Sequence, residues 1–360
     1  MAIDGIGQRE YLLDRGVSNS GAIYGLQSTT VNSVGNSGTI AGQNQVFVNG
    51  QNVSSTGTLA AGVNANGQVR TSGDLTVVTG NRLTATGQNL ADGNATLQAA
   101  TVDLSGSKTA ANGSLATSAT TGDVDLTGAT TQAGQQANNA APGGTVRNDA
   151  LSATQISQIT AQQISINAAA LSNRGGSIQQ TGTNNTAIQI AGVLDNTGGT
   201  ITTTATDLVI HAGSIANSGG QIHLAGNSKL SVATGALGNQ AGSIGSNGVR
   251  GINAASIDNT GGVLASMGTT SVASTGALVV HGLVFHRTEL VRLVGDFRQR
   301  LVVTHSDERN RQGDLDRQCQ HRVQVVPSHR QKILQVVAHA ISRLVRSPNL
   351  QHVVMEVVHG

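Results

Sequence analysis

The chain has 360 residues and a formal net charge of +2, with 47 Gly, 2 Tyr, 3 Phe and no Trp. This composition excludes a compact core built on large aromatic side chains, which normally supply much of the buried area. It also argues against a disordered chain, because such chains combine few aliphatic residues with high net charge, whereas Ala, Val, Ile and Leu are abundant here. A solenoid with a narrow aliphatic core fits both observations.

The first recurring unit lies near the amino terminus. Val17-Ser-Asn19-Ser-Gly21-Ala-Ile23 and Val34-Gly-Asn36-Ser-Gly38-Thr-Ile40 share the pattern aliphatic-x-Asn-x-Gly-x-aliphatic. A second unit, Asp-Leu-Ser/Thr-Gly, begins at Asp103 and recurs 22 residues later at Asp125. The stretch 134–144 contains paired Gln, paired Asn and Pro142-Gly-Gly, and we expect it to be a loop or an irregular coil.

The clearest run lies between residues 171 and 264. The pattern aliphatic-x-Asn-x-Gly-Gly-x-aliphatic occurs there five times, with Ala241 replacing the first glycine in one copy. Its asparagines stand at 173, 196, 217, 239 and 259, so the steps are 23, 21, 22 and 20 residues. Five near-copies at almost constant spacing predict one structural unit per step.

The residues of this unit favour a β-coil. The linking segments alternate apolar and polar residues, as in Asp207–His211, which predicts short strands. A Gly-Gly pair supplies the positive φ of a sharp corner, and asparagine bonds its own backbone at turns. Stacked coils also bring equivalent asparagines together in an amide ladder about 4.8 Å apart. We therefore predict an all-β, parallel β-helix of about 20–23-residue coils over residues 1–278, in which asparagine has a turn role and binds no ligand.

These two units resemble the hemagglutinin repeats of filamentous hemagglutinin-like exoproteins. That family contains adhesins and contact-dependent growth-inhibition toxins exported by two-partner secretion. The resemblance covers about 278 of the 360 residues. It implies a right-handed parallel β-helix at a bacterial cell surface and an outer-membrane two-partner secretion transporter as export partner. It does not distinguish adhesins from toxin carriers, because both use such shafts.

The repeat stops near residue 279. After Ser271–Leu278 the next asparagine is due at position 280, where Val280 stands, and no Gly-Gly pair follows. From Leu283 the tail carries 12 Lys and Arg against 7 Asp and Glu, whereas the preceding part carries 9 against 12. An unrelated basic, His-, Arg- and Val-rich tail at 279–360 indicates a frameshift, a recombination scar or an assembly error. The alternative is a genuine tail domain, partly helical or disordered, with an amphipathic helix after Pro327.

No catalytic, cofactor-binding or metal-binding residue is predicted. Cys319 and His321 form a single Cys-x-His without the second pair of a zinc site. Asp123 and Asp125 are a weak calcium pattern, because the glycine-aspartate nonapeptide repeat is absent. The repeats are slightly acidic and nearly free of aromatic residues, which argues against nucleic-acid binding. His321, His329 and His339 are eight and ten residues apart, so they do not share one helical face. The tail acids lie among arginines, which favours a solvated, salt-bridged stretch; they are Asp307, Glu308, Asp314 and Asp316.

The sequence therefore predicts a non-enzymatic shaft segment of a secreted, cell-surface adhesin that mediates attachment. The alternatives are the delivery stalk of a contact-dependent growth-inhibition toxin and a non-functional gene remnant. No secretory signal is readable at Met1-Ala-Ile-Asp-Gly, so we expect a fragment of a longer protein, whose missing amino-terminal domain would engage the transporter. No nucleic acid or small-molecule substrate is expected as partner, and the sequence leaves the surface receptor open.

Overall fold

A computed structural model describes residues 16–32, 34–63 and 72–279 with their side chains. It also describes the backbone of the strands at 10–13, 283–286, 290–297, 321–326 and 353–357. These residues form two compact units, Met1–Asp195 and Asn196–Gly360. All regular elements in the described ranges are β-strands, so none of them contains a helix long and apolar enough to cross a membrane.

The amino-terminal unit contains twenty-one strands in its described residues. In chain order, β1 to β21 are Glu10–Leu13, Val17–Asn19, Ala22–Gly25, Ser28–Asn32, Val34–Asn36, Thr39–Gly42, Gln45–Ser55, Thr58–Ala61, Asp74–Ala85, Gln88–Ala91, Ala95–Ala99, Thr101–Asp103, Lys108–Ala111, Leu115–Ala119, Val124–Asp125, Thr130–Ala133, Gln136–Arg147, Gln158–Ala161, Gln163–Ser172, Ser177–Gln180 and Thr186–Asp195.

The carboxy-terminal unit contains twelve described strands. In chain order, β22 to β33 are Thr200–Thr203, Leu208–Ala216, Gln221–Leu224, Lys229–Gly238, Ser243–Ser246, Val249–Asp258, Val263–Ser266, Thr270–Val279, Leu283–His286, Leu290–Phe297, His321–Val326 and Val353–Val357.

Each coil of the carboxy-terminal unit combines one four-residue strand, one long strand and two turns. β22 leads through a turn into β23, and a second turn at 217–220 leads into β24, where the next coil begins. Every strand pairs in parallel with its equivalent one coil later, so β22 pairs with β24 and β23 with β25. The predicted parallel β-solenoid is therefore confirmed, with about eleven turns at about 22-residue spacing over the chain.

The core of each coil is a stack of small aliphatic side chains. Along β23 the inward residues Leu208, Ile210 and Ala212 are buried and the residues between them are exposed. In-register pairing places Leu208 over Leu230 and Ile210 over Val232. Each fully buried Leu or Ile contributes about 1.5–3 kcal/mol through removal of its apolar surface from water. The aliphatic composition thus supplies a narrow core without aromatic residues.

Two coils of the amino-terminal unit are longer than the rest. Between β8 and β10 the chain inserts residues after Ala61, and between β16 and β18 it inserts a loop before Gln158. At the start of the first insertion, the Tyr24 hydroxyl donates a hydrogen bond to the Val63 carbonyl at 3.2 Å. Val63 packs with Ala41 and Ala60, and burial raises the pKa of Tyr24. Insertions at corners leave the strand register intact because they enter between strands.

The stretch 134–144 differs from the sequence expectation. It is not a loop, because Gln136–Arg147 forms one twelve-residue strand, β17, that pairs in parallel with β14, β15 and β19. The irregularity is confined to a register shift between Ala141 and Thr145 in the pairing with β19. Pro142 is tolerated at this bulge, where the ladder of hydrogen bonds is interrupted.

Beyond Val279 the description is limited to backbone strands. β30 continues the parallel pairing of β28, and β31 continues that of β29. The amphipathic helix considered after Pro327 lies outside the described residues.

Candidate functional site

Buried asparagines recur at the same corner of successive coils and stack into a column. In the carboxy-terminal unit, Asn196, Asn217, Asn239 and Asn259 are all 0% exposed. The Nδ2 of each of the first three donates to the Oδ1 of the next, at 2.7, 2.7 and 2.6 Å. We call this column the asparagine ladder. It confirms the amide stacking expected from the repeat.

Each ladder asparagine also closes its own turn. Asn217 Nδ2 lies 3.2 Å from the carbonyl of Gly220 and 3.3 Å from that of Ser243 in the next coil. The backbone N–H of Gly220 donates back to the Asn217 carbonyl at 3.1 Å. One side chain therefore satisfies backbone groups of two coils, which would otherwise be buried without partners. The asparagines therefore join each coil to the next.

The turn requires glycine at two positions, Gly219 and Gly220, for different physical reasons. Gly219 has a φ of +61°, a conformation that costs other residues about 1–2 kcal/mol. Gly220 is required for close approach, because a Cβ there would lie 2.1 Å from the Asn196 carbonyl oxygen. Ala241, at the equivalent of Gly219, has a φ of 51° and carries this strain.

The same corner in the amino-terminal unit is only partly occupied by asparagine. Asn19 donates to Asn36 Oδ1 at 2.8 Å, and Asn36 donates to the Ser55 hydroxyl at 3.0 Å. Asn148 donates to Asn173 Oδ1 at 2.7 Å. Between these two runs the strand register places Leu104 and Leu126 at the corner, both 0% exposed. The corner position of the coil is thus filled by an asparagine in some coils and by an apolar side chain in others.

The Ser157 hydroxyl closes the lower end of the second run. It lies 2.7 Å from Asn148 Oδ1 and 2.6 Å from the Leu126 carbonyl oxygen. It therefore gives Asn148 a partner where the coil below offers a leucine. Sequence reasoning missed this residue, because it lies nine positions from Asn148 in the chain.

Charged side chains occupy the outer corner of the amino-terminal unit. Arg82 bridges to Asp103 at 3.0 Å and Arg147 to Asp123 at 2.9 Å. Burial opposes ionisation of Asp123, but the N–H of Thr145 and the Arg147 guanidinium outweigh it, and the pKa of Asp123 is lowered. Surface pairs of this kind contribute little to stability, about 0–1 kcal/mol each.

The calcium pattern at Asp123 and Asp125 does not form a joint carboxylate site. Asp123 is bound to Arg147, and Asp125 Oδ1 accepts the Thr127 N–H at 2.9 Å. Within the side chains that the structure describes, no group of three or more His, Cys, Asp or Glu residues could hold a metal ion. The tail residues discussed above, Cys319 and His321 among them, have side chains outside the described residues.

An exposed loop at 149–156 projects from the amino-terminal unit. The Leu151 N–H donates to the Gln155 carbonyl at 2.9 Å, and Gln155 Nε2 donates to the Gly128 carbonyl at 3.3 Å. These bonds fix the shape of the loop, in which Leu151 is 60% exposed and Ile156 is 46% exposed. Leu151 is the most exposed of the large hydrophobic side chains that the structure describes.

Two known proteins resemble parts of the chain. The tRNA nuclease CdiA-2 of Burkholderia pseudomallei (strain 1026b) is 54% identical over 97 residues, covering 27% of this chain and 3% of that protein. The toxin CdiA of Yersinia pestis is 34% identical over 172 residues, covering 40% of this chain and 5% of that protein. No protein-family model and no solved structure matches the chain. The chain thus combines a parallel β-solenoid with similarity to small segments of two far longer proteins named CdiA.

Proposed function

We propose that this chain is a non-catalytic shaft segment of a secreted bacterial surface protein. The asparagine ladder is the observation that carries the proposal. Its amides point inward and satisfy one another and the backbone, so the recurring polar residues hold coils together and do not face a substrate. A column of such bonds through successive coils suits a part whose task is to keep two ends of a long protein apart.

Among shafts, we favour the delivery stalk of a contact-dependent growth-inhibition toxin over the hemagglutinin-repeat adhesin predicted first. Both relatives are named for toxic or nuclease activity, and the matched segments are 3% and 5% of their lengths. The toxic activity of such a protein would lie in another part. An attachment role of the shaft itself stays as the second candidate, supported by the exposed loop around Leu151.

Export and location follow from the same proposal. The parent protein would leave the cell through an outer-membrane two-partner secretion transporter that recognises a different domain, and would be displayed at the cell surface. The described coils carry no requirement for a cofactor in this role, because the ladder and the aliphatic core stabilise them.

A segment exchange tests the stalk. The matching 172-residue segment of the Yersinia pestis toxin would be replaced by this chain, and inhibition of neighbouring cells measured. Retained inhibition supports the stalk, provided that a flexible Gly/Ser linker of equal length fails. Equal inhibition with the linker would contradict a shaft role. An Asn217→Asp chain serves as the disrupted shaft, and Asn253→Asp, the same change at an exposed position, is its control.

Attachment is tested with the purified chain. An adhesin shaft would bind target cells saturably by itself and would lose binding when Leu151 and Ile156 are replaced by Ser. A stalk would support delivery in the exchange experiment without such binding. The two candidates therefore give opposite results in the binding assay.

We further propose that residues 279–360 do not belong to the sequence repeat, although β30 and β31 continue the strand pairing. In the sequence Val280 stands where the next asparagine of the repeat is due, and Asn259 is the last asparagine of the described ladder. Sequencing the underlying DNA tests this proposal. A repeat that continues in another reading frame supports a frameshift, and a single intact frame through a conserved natural tail contradicts it.

A further inference from the structure

One interior position of the carboxy-terminal unit holds a cation. Register pairing aligns Leu208, Leu230, Arg250 and Thr270 in successive coils. Arg250 is 0% exposed, like the leucines below it. Burial lowers the pKa of Arg250 to about 9, and no carboxylate among the described side chains opposes the effect. An arginine thus takes a place in the core that earlier coils give to leucine.

A second column of interior side chains, contributed by the four-residue strands, also changes from apolar to polar at the coil of Arg250. Leu224 is followed in register by Ser246 and then Ser266, both buried. The leucine of this column is thus replaced by the smaller serine in the two coils that carry Arg250 and Thr270. Arg250 Nη1 donates to the Ile244 carbonyl at 2.9 Å. The two substitutions together form a polar compartment, and the arginine is not a single misplaced residue.

The guanidinium is only partly satisfied there. Nη2 donates to Thr270 Oγ1 at 3.3 Å, and Nε has no partner. A guanidinium has five N–H donors, so these two bonds leave three without an acceptor. The nearby hydroxyls are engaged: Ser266 donates to the Gly268 carbonyl at 2.7 Å and also bonds Thr270. The Nε–H of Arg250 is therefore the donor that still requires a hydrogen-bond acceptor.

Charge decides what that acceptor is. Arg250 belongs to none of the ion pairs formed by the described side chains. Arginine stays protonated at neutral pH, and a buried charge without a counter-charge costs several kcal/mol. A water molecule would satisfy the donors but leave the charge uncompensated. A small anion meets both requirements, and the enclosure of the site favours a monatomic one.

We propose that the polar compartment lined by Arg250, Ser246, Ser266 and Thr270 binds a chloride ion at the Nε edge of the guanidinium. The ion would enter when the coil folds or opens locally, since the site has no exposure in the closed coil. Chloride then acts as a structural ligand of the last coils before Val279. This inference does not depend on the proposed function, because it concerns the stability of the fold.

The first test is thermal unfolding of the full chain at constant ionic strength, with sodium gluconate replaced stepwise by sodium chloride. A tenfold excess of chloride over its Kd should raise the melting temperature of this 360-residue chain by about 2 °C, if only the folded coil binds the ion. Arg250→Leu restores the leucine column and should abolish this shift. Lys229→Leu removes an exposed cation from the coil below and should keep it.

Equal chloride shifts in Arg250→Leu and the parent chain would overturn the proposal, because they would reflect a general salt effect. Absence of a shift in the parent chain would overturn it as well. If Arg250→Leu does not fold, bromide provides the second measurement. Crystals of the full chain grown in bromide should show an anomalous peak within hydrogen-bonding distance of Arg250 Nε, and a compartment without that peak contradicts chloride binding.

Discussion

Replacement of Asn217 by Asp probes the ladder with almost no change of shape. Asn217 Oδ1 accepts from Asn196 Nδ2 at 2.7 Å, and a carboxylate oxygen keeps that bond. Asn217 Nδ2 donates to Asn239 Oδ1 at 2.7 Å, and there the change places two oxygens face to face with no hydrogen between them. The variant thus removes one donor and adds one charge at a site that is 0% exposed.

The magnitude follows from these two losses. A buried acceptor without a donor, here Asn239 Oδ1, costs about 1–3 kcal/mol. An ionised carboxylate in a buried position adds a larger penalty unless it is paired. We therefore expect Asn217→Asp to lower the free energy of unfolding by at least about 3 kcal/mol at pH 7. At pH 4 a protonated carboxyl can donate to Asn239, so part of the loss should be recovered.

Hydrogen exchange of the coil amides measures this locally. Since 1.4 kcal/mol is a tenfold change in an equilibrium constant, a loss of about 3 kcal/mol accelerates exchange in the neighbouring turns about 100-fold. Asn253→Asp makes the same chemical change on the outer face and should alter stability by less than about 0.5 kcal/mol. Equal effects of the two variants would refute a structural role of the ladder.

Three further predictions concern other positions. Ala241→Gly should raise the free energy of unfolding by about 0.5–1 kcal/mol, measured by urea unfolding, because the φ of 51° strains alanine; a lower stability would contradict this. Gly220→Ala should destabilise by at least about 2 kcal/mol in the same assay, since its Cβ would lie 2.1 Å from the Asn196 carbonyl oxygen; a neutral change would show that the turn can open. Because the pKa of Asp123 is lowered in the fold, its stabilising effect is present above its unfolded pKa of about 3.9 and is lost as pH falls below it. Asp123→Asn should therefore flatten the acid dependence of the melting temperature below about pH 4, and an unchanged slope would exclude the Arg147 pair as its source.

The repeat itself was predictable because its chemistry is local. Asn217, Gly219 and Gly220 each have a reason to occupy their turn that involves only the turn and the coil next to it. The spacing of such turns fixes the coil length, and the alternation of the linking residues fixes which side faces inward. The fold class and the ladder therefore follow from sequence alone.

Other features escaped sequence reasoning because they depend on contacts between coils. Leu104 and Leu126 fill the corner that asparagine fills elsewhere, which interrupts the sequence pattern but not the stack. The 134–144 stretch looks like a loop because of Pro142 and its glycines, yet neighbouring strands pair with it on both sides. Arg250 resembles any surface arginine until the register places it in the core.

In-register stacking is the central claim, and distances between spin labels test it most directly. With Cys319 replaced by Ser, labels would be placed on Val209 paired with Gly251, and on Val209 paired with Ser271. Strand pairing links Val209 to Ser231, Ser231 to Gly251 and Gly251 to Ser271, so these pairs are two and three coils apart. Dipolar broadening of continuous-wave electron paramagnetic resonance spectra, which reports such short separations, should give two narrow distributions that differ by about 4.8 Å, one strand spacing. Broad distributions, or distances that grow with the number of intervening residues and not with the number of coils, would contradict the solenoid.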